Sequence, residues 1–217
     1  DITDSIISLP KLTDGTDGNI ISYDASGNPV AVATGSAGQV LTSAGAGAPP
    51  TFAAAGGGMT LLSTTTLAST TTSISISSTG YVELLISIEN MAGATGDTKF
   101  NFNSDTGSNY KSLRMVGDAG NSSSTGSQST TGVFMNQNGA AGYTSTSLSS
   151  FIINVYFPAS TARHKSFLSN TVGEYSTDRI AMLTSGIWKD TSAITSFQLI
   201  SGTGTFSGGT VYIYGVK

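Results

Sequence analysis

Cysteine is absent from this 217-residue chain, and histidine occurs once, as His164. The first absence excludes disulfides, thiolate chemistry and any Cys-containing zinc site. The second excludes a multi-histidine metal centre within one chain. Charge is scarce as well: Asp, Glu, Lys and Arg make up 10% of the residues, against about 25% in an average soluble domain. Glutamate occurs three times, as Glu83, Glu89 and Glu174, and Leu and Lys are few. Helices in water clothe their outer faces with those residues, so a mainly helical protein is excluded. No apolar run approaches the roughly 20 residues of a membrane-spanning helix. A net charge of −4 leaves no basic face for general nucleic-acid binding.

What fills the chain instead is 34 serines, 31 threonines and 27 glycines, together with 38% hydrophobic residues. That apolar share is enough for a buried core, and the length suits one sizeable β domain plus an accessory segment.

Composition changes near residue 58. Residues 1–58 carry five aspartates (Asp1, Asp4, Asp14, Asp17 and Asp24) and one lysine, Lys11, whereas acids and bases balance in residues 59–217. All the net charge therefore sits at the N-terminal end. That segment is punctuated by turn formers, Asp14-Gly15, Asp17-Gly18-Asn19, Ser26-Gly27-Asn28-Pro29 and Ala48-Pro49-Pro50. Its apolar stretches, such as Ile20-Ile21 and Val30-Ala31-Val32, are too short to form a core. A segment of this kind is expected to find order against a partner surface. Ala53–Gly58 then reads as a flexible joint.

From Met59 onward the period-two pattern of half-buried strands recurs. Val82, Leu84, Ile86 and Ile88 share one face of residues 81–89, with Glu83, Ser87 and Glu89 on the other. Ile74 and Ile76 alternate with serines, and Phe100 and Phe102 with Lys99, Asn101 and Asn103. Phe151, Ile153, Val155 and Phe157 oppose Ile152, Asn154 and Tyr156. Further strands are predicted at 110–116, 131–136, 165–172, 180–188, 194–200 and 210–216. Residues 117–132, almost wholly small and polar, are predicted to be an exposed loop. Many short strands without helices indicate an all-β, antiparallel β-sandwich, in the form of a jelly roll. The expected organisation is an extended, turn-rich assembly segment (1–58) followed by the sandwich (59–217).

Two regions carry a resemblance. Gly35-Ser36-Ala37-Gly38-Gln39-Val40-Leu41-Thr42-Ser43, followed by Gly45-Ala46-Gly47-Ala48-Pro49-Pro50-Thr51-Phe52, resembles a segment that recurs in bacteriophage tail-fibre and other virion proteins. The second region is dispersed. Phe102 to Tyr110, His164-Lys165, Gly186-Ile187-Trp188, Ala193 to Ser196 and the ending Tyr212-Ile213-Tyr214-Gly215-Val216 are similar, in that order, to jelly-roll domains on phage tails and capsids. Together the two regions cover most of the chain. The resemblance implies a structural role in the virion, commonly as a homotrimer, and leaves the part of the virion open. The expected partners are further copies of the chain and the major capsid protein or other virion proteins, at the virion surface. The long repeats of a fibre shaft are missing, which favours a capsid decoration (cement) protein or short head fibre. The competing class is a tail-fibre receptor-binding module that recognises host surface glycan, and a third is a depolymerase.

Candidate chemistry is thin. His164 has Ser166 and Asp178 near it in sequence, but no Gly-x-Ser-x-Gly elbow accompanies them, and serine is everywhere. Glu83 and Glu89 lie on one strand face about 20 Å apart, too far for the paired carboxylates of a glycosidase. Asp105, in Asp-Thr-Gly-Ser-Asn, fits an Asx turn. Asp14, Asp17 and Asn19 offer oxygen donors to a hard cation, yet consecutive Asp-Gly turns account for them. Trp188, with Tyr110, Tyr143, Tyr156 and Tyr175, could stack on a sugar, but its apolar neighbours point to core packing. No Gly-rich stretch opens a helix with a lysine, so no phosphate cradle is read. The expectation is no catalytic residue, no cofactor and no metal, with attachment through Asp1, Asp4, Asp14, Asp17 and Asp24.

Overall fold

Threonine and the other β-branched residues lose χ1 freedom on a helix but pack well on a pleated surface, and serine competes for the helix's backbone hydrogen bonds. The computed structural model accordingly contains strands and no helix among the residues it describes, which are 14–93, 96, 98–118, 121–135, 149–175 and 178–217. The chain divides into two units, Asp1–Gly57 and Gly58–Lys217.

In the described part of the first unit, two of the turn clusters close short hairpins. β1 (Ile20–Tyr23) pairs antiparallel with β2 (Pro29–Val32), and β3 (Gln39–Thr42) with β4 (Thr51–Ala54). A lone two-stranded hairpin is marginal in water. Here Val32 is the one buried hydrophobic side chain among the described residues of the unit, while Ile21, Tyr23, Val40 and Leu41 are exposed. The segment is thus less extended than its composition suggests, and equally short of a core.

The second unit holds twelve strands among the described residues. In chain order they are β5 (Met59–Thr66), β6 (Thr71–Ser75), β7 (Glu83–Ala92), β8 (Lys99–Phe102), β9 (Tyr110–Asp118), β10 (Asn121–Thr130), β11 (Val133–Phe134), β12 (Ser149–Tyr156), β13 (Lys165–Tyr175), β14 (Asp178–Trp188), β15 (Ser196–Ile200) and β16 (Gly208–Val216). Eight of the strands pair in nested fashion: β5 with β16, β6 with β15, β7 with β12, β8 with β11. Successive pairs alternate between two sheets, joined by β16–β7 in one and β15–β8 in the other. That is the connectivity of a jelly roll, a long hairpin rolled up on itself. Two inserted hairpins, β9–β10 and β13–β14, extend one sheet to the order β10-β9-β14-β13-β12-β7-β16-β5, facing the four-stranded β11-β8-β15-β6.

The alternating positions meet between the sheets. Leu84, Ile86 and Ile88 on β7 and Phe151, Ile153 and Val155 on β12 join Phe100 and Phe102 of β8 and Phe197 and Leu199 of β15 in one buried cluster. Each such side chain contributes about 1.5–3 kcal/mol through burial. The rings pack edge-on, with Phe100 5.6 Å from both Phe102 and Phe167.

Four expectations need correcting. The stretch 117–132 is not a loop, because Asn121–Thr130 forms the edge strand β10 on β9. Small polar side chains suit an edge that needs backbone pairing and no buried face. Val82 is exposed, since it precedes β7 and donates its N–H to the Val216 carbonyl at the sandwich end. Phe157 leaves the β12 face by turning to φ 55° and is also exposed. Within the predicted strand 131–136 only Val133–Phe134 is extended, and residue 136 lies outside the described residues.

Candidate docking and display surfaces

Of the aspartates expected to mediate attachment, the described Asp14, Asp17 and Asp24 lie outside the strands. Asp24 caps the β1–β2 loop: its Oδ1 accepts the backbone N–H groups of Ser26 (2.8 Å) and Asn28 (2.9 Å), and the Asn28 side chain donates to Oδ2 at 3.2 Å. These bonds, the Asn28 N–H foremost, hold the exposed carboxyl below its ordinary range. Asp24 therefore folds its own hairpin while presenting a charge to solvent. Asp14 and Asp17 are exposed. Asn19, grouped with them as an oxygen donor, turns its Oδ1 to the Thr34 N–H at 3.1 Å, and the Thr34 hydroxyl donates to the Asp17 carbonyl at 2.8 Å. These bonds tie the first turn to the end of β2. Asp1 and Asp4 lie outside the described residues. Among the described residues no three acidic or histidine side chains converge to hold a metal ion.

The segment Gly35–Phe52 builds the second hairpin. Gln39 Oε1 accepts the Ser36 N–H at 2.7 Å and Gln39 N–H donates to the Ser36 carbonyl at 3.1 Å, closing a turn in which Gly38 takes φ 84°. Phe52, at the far end of the segment, lies against Gly35, where any Cβ would stand 2.6 Å from the Phe52 side chain. The first and last residues of the motif are thus packed on each other, and Gly35 admits no side chain.

In the jelly roll, the groups with chemical potential are absorbed by structure. Trp188 is 1% exposed. Its Nε1–H donates to Asp105 Oδ2 at 2.6 Å, and its ring stacks at 16° on that of Tyr110. Asp105 also accepts from Asn109 Nδ2 (2.9 Å) and the Gly107 N–H (2.8 Å). Desolvation pushes its carboxyl up, but the bonds from Trp188, Asn109 and Gly107 outweigh it and leave the group below the ordinary range. The Asx turn and the core tryptophan are thus one device, a carboxylate on the β8–β9 loop pinning the end of β14. Tyr110 receives the Phe102 N–H on its hydroxyl at 2.8 Å, and burial pushes its ionisation well above normal. Lys165 is fully buried, yet its ammonium is satisfied by the carbonyls of Ser160 (2.7 Å), Arg163 (3.1 Å) and Asp190 (3.3 Å), 5.6 Å above the Trp188 ring. Desolvation lowers its pKa. Sequence reasoning did not single out Lys165. Its position at the start of an alternating strand, beside the sole histidine, gave no sign that it is buried.

His164 is exposed in the loop before β13, and Ser166 points outward. The Asp178 side chain and Tyr143 lie outside the described positions. Glu83 accepts from Asn154 across the β7–β12 pair, and Glu89 accepts the Ser87 hydroxyl at 3.3 Å, so each has a separate local partner. No protein-family model, curated protein or solved structure matches the chain.

Proposed function

We propose that this chain is a non-enzymatic structural protein of a bacteriophage virion, a capsid decoration or short head-fibre protein. Its N-terminal unit docks and its jelly roll is displayed outward, as a homotrimer. The observation that carries this reading is the Gly35–Phe52 hairpin. Four residues of the phage-like motif have local tasks in it: Gln39 closes a turn, Gly38 supplies the left-handed φ, and Gly35 receives Phe52. A short hairpin that keeps its fold-giving residues and exposes Val40 and Leu41 suits reuse as a docking cassette. The turn aspartates add an acidic character that a basic patch on the shell would attract.

The reading as a receptor-binding module draws on Tyr156, exposed beside the Glu83–Asn154 pair, where a sugar could stack and hydrogen-bond. Copy number in purified particles separates the two. Hundreds of copies per virion support decoration, and a handful supports the tail. Binding of the purified protein to a host-glycan array would favour the second reading.

A further inference from the structure

We propose that the outer face of the eight-stranded sheet is the surface on which a second copy of this chain sits. The inference rests on the self-association just proposed and names where it happens. An isolated sandwich puts polar residues on both outer faces, and here the two faces differ. The four-stranded sheet turns Ser73 and Ser75 of β6, Ser196 and Gln198 of β15 and Lys99 of β8 outward. The eight-stranded sheet turns out Leu113, Met115, Ile152, Leu168 and Val172, which are between 36% and 60% exposed. Strand register sets them side by side: Leu85, Asn154, Leu168, Ser185 and Leu113 form one row across β7, β12, β13, β14 and β9. The next row runs Ser87, Ile152, Asn170, Leu183, Met115.

Three features select a second copy as the occupant. Among the described side chains, the charges on this face are Glu83, Glu89 and Lys111, all near its margins, so a charged partner finds no counterpart in the centre and identical copies do not repel. Size also fits. Eight strands at about 4.8 Å and six residues at about 3.4 Å give a projected face of roughly 700 Å², close to the ~800 Å² each partner contributes to a standard interface. Finally, the face carries its own holes as well as its knobs. One open groove of about 550 Å³ lies beside Met115 over Gly117, Ala181 and Leu183, and another of about 320 Å³ lies beside Leu113 over Lys111, Gly126, Ser185 and Ile187, so the projecting Leu113 and Met115 stand between the two. Apolar knobs of one copy can enter such hollows on the next, with Ser and Asn hydrogen-bonding around them.

Sedimentation velocity of the full chain at micromolar concentration tests this. Wild type and a control with Ser73→Lys and Gln198→Lys should associate, whereas Met115→Lys with Leu168→Lys should associate at least ten-fold more weakly. Ile152→Thr with Val172→Thr, which keeps β-branched residues on the strands, should weaken association in the same direction and serves if the lysine variant fails to fold. Undiminished association in a folded face variant overturns the assignment while leaving the trimer standing. A monomeric wild type overturns both. A monomer whose capsid binding is lost in the face variants would give the face to a shell protein and overturn the choice of a second copy.

Discussion

Asp105 shows how one carboxylate can organise a sandwich end. Its folded-state pKa is depressed, so its contribution to stability is present above the unfolded value near 3.9 and is lost as pH falls through the folded value. Asp105→Asn should therefore be less stable than wild type at pH 7, and the gap should close below about pH 4. Urea melts at pH 7, 4 and 2.5 check this; a constant gap would mean that the charge has no part in holding the Trp188 N–H. Asp105→Ala, which leaves that buried N–H without its acceptor, should cost about 1–2 kcal/mol at neutral pH. A contrasting case is Thr184, fully buried on the inward face of β14, whose hydroxyl has no hydrogen-bond partner among the described residues. Thr184→Val keeps the shape and removes the desolvated hydroxyl, so it should stabilise by roughly 0.5–1.5 kcal/mol in the same melts.

At the level of elements, facing decides tolerance. Ile86 is fully buried in the middle of β7, and Ile86→Asp should abolish folding because an unpaired buried carboxylate costs several kcal/mol. Ile152→Asp, on the outward face of the neighbouring strand, should fold. Equal thermal melts for the two would reverse the facing described here. The alternating strands were legible because period two is written directly in residues such as Leu84-Leu85-Ile86-Ser87-Ile88. The strand β10 was not, because Asn-Ser-Ser-Ser-Thr-Gly carries no apolar alternation. Its reason to be extended is the unpaired edge of β9, which lies outside its own sequence. Alternate amides over residues 122–126 should exchange slowly with solvent deuterium, and uniformly fast exchange would restore the loop. Asp105 and Trp188 were each readable separately, as a turn residue and a core residue. Their bond spans 83 positions and exists only once β14 lies beside β9.

Across the whole molecule, the nested pairing makes many strand pairings of the jelly roll distant in sequence, as between β5 and β16, while β9–β10, β12–β13 and β13–β14 join consecutive strands. Such topologies fold slowly, but they require nothing from the first unit. Residues 58–217 alone should melt within about 2 °C of the full chain, a shift that corresponds to less than 1 kcal/mol at this size. A fragment that never folds would move the boundary. The two units thus divide the labour proposed for the protein, one with a turn-built, acidic surface and the other with a large apolar core and a broad outer face.

The central claim is that the first unit alone carries the docking function. It is tested by quantifying, in purified particles of the phage proposed to carry the protein, three proteins: the full chain, residues 58–217, and residues 1–57 fused to an unrelated folded domain. The account predicts normal incorporation of the full chain and the fusion, and particles without 58–217. Residues 58–217 at full copy number, with the fusion absent, would contradict it.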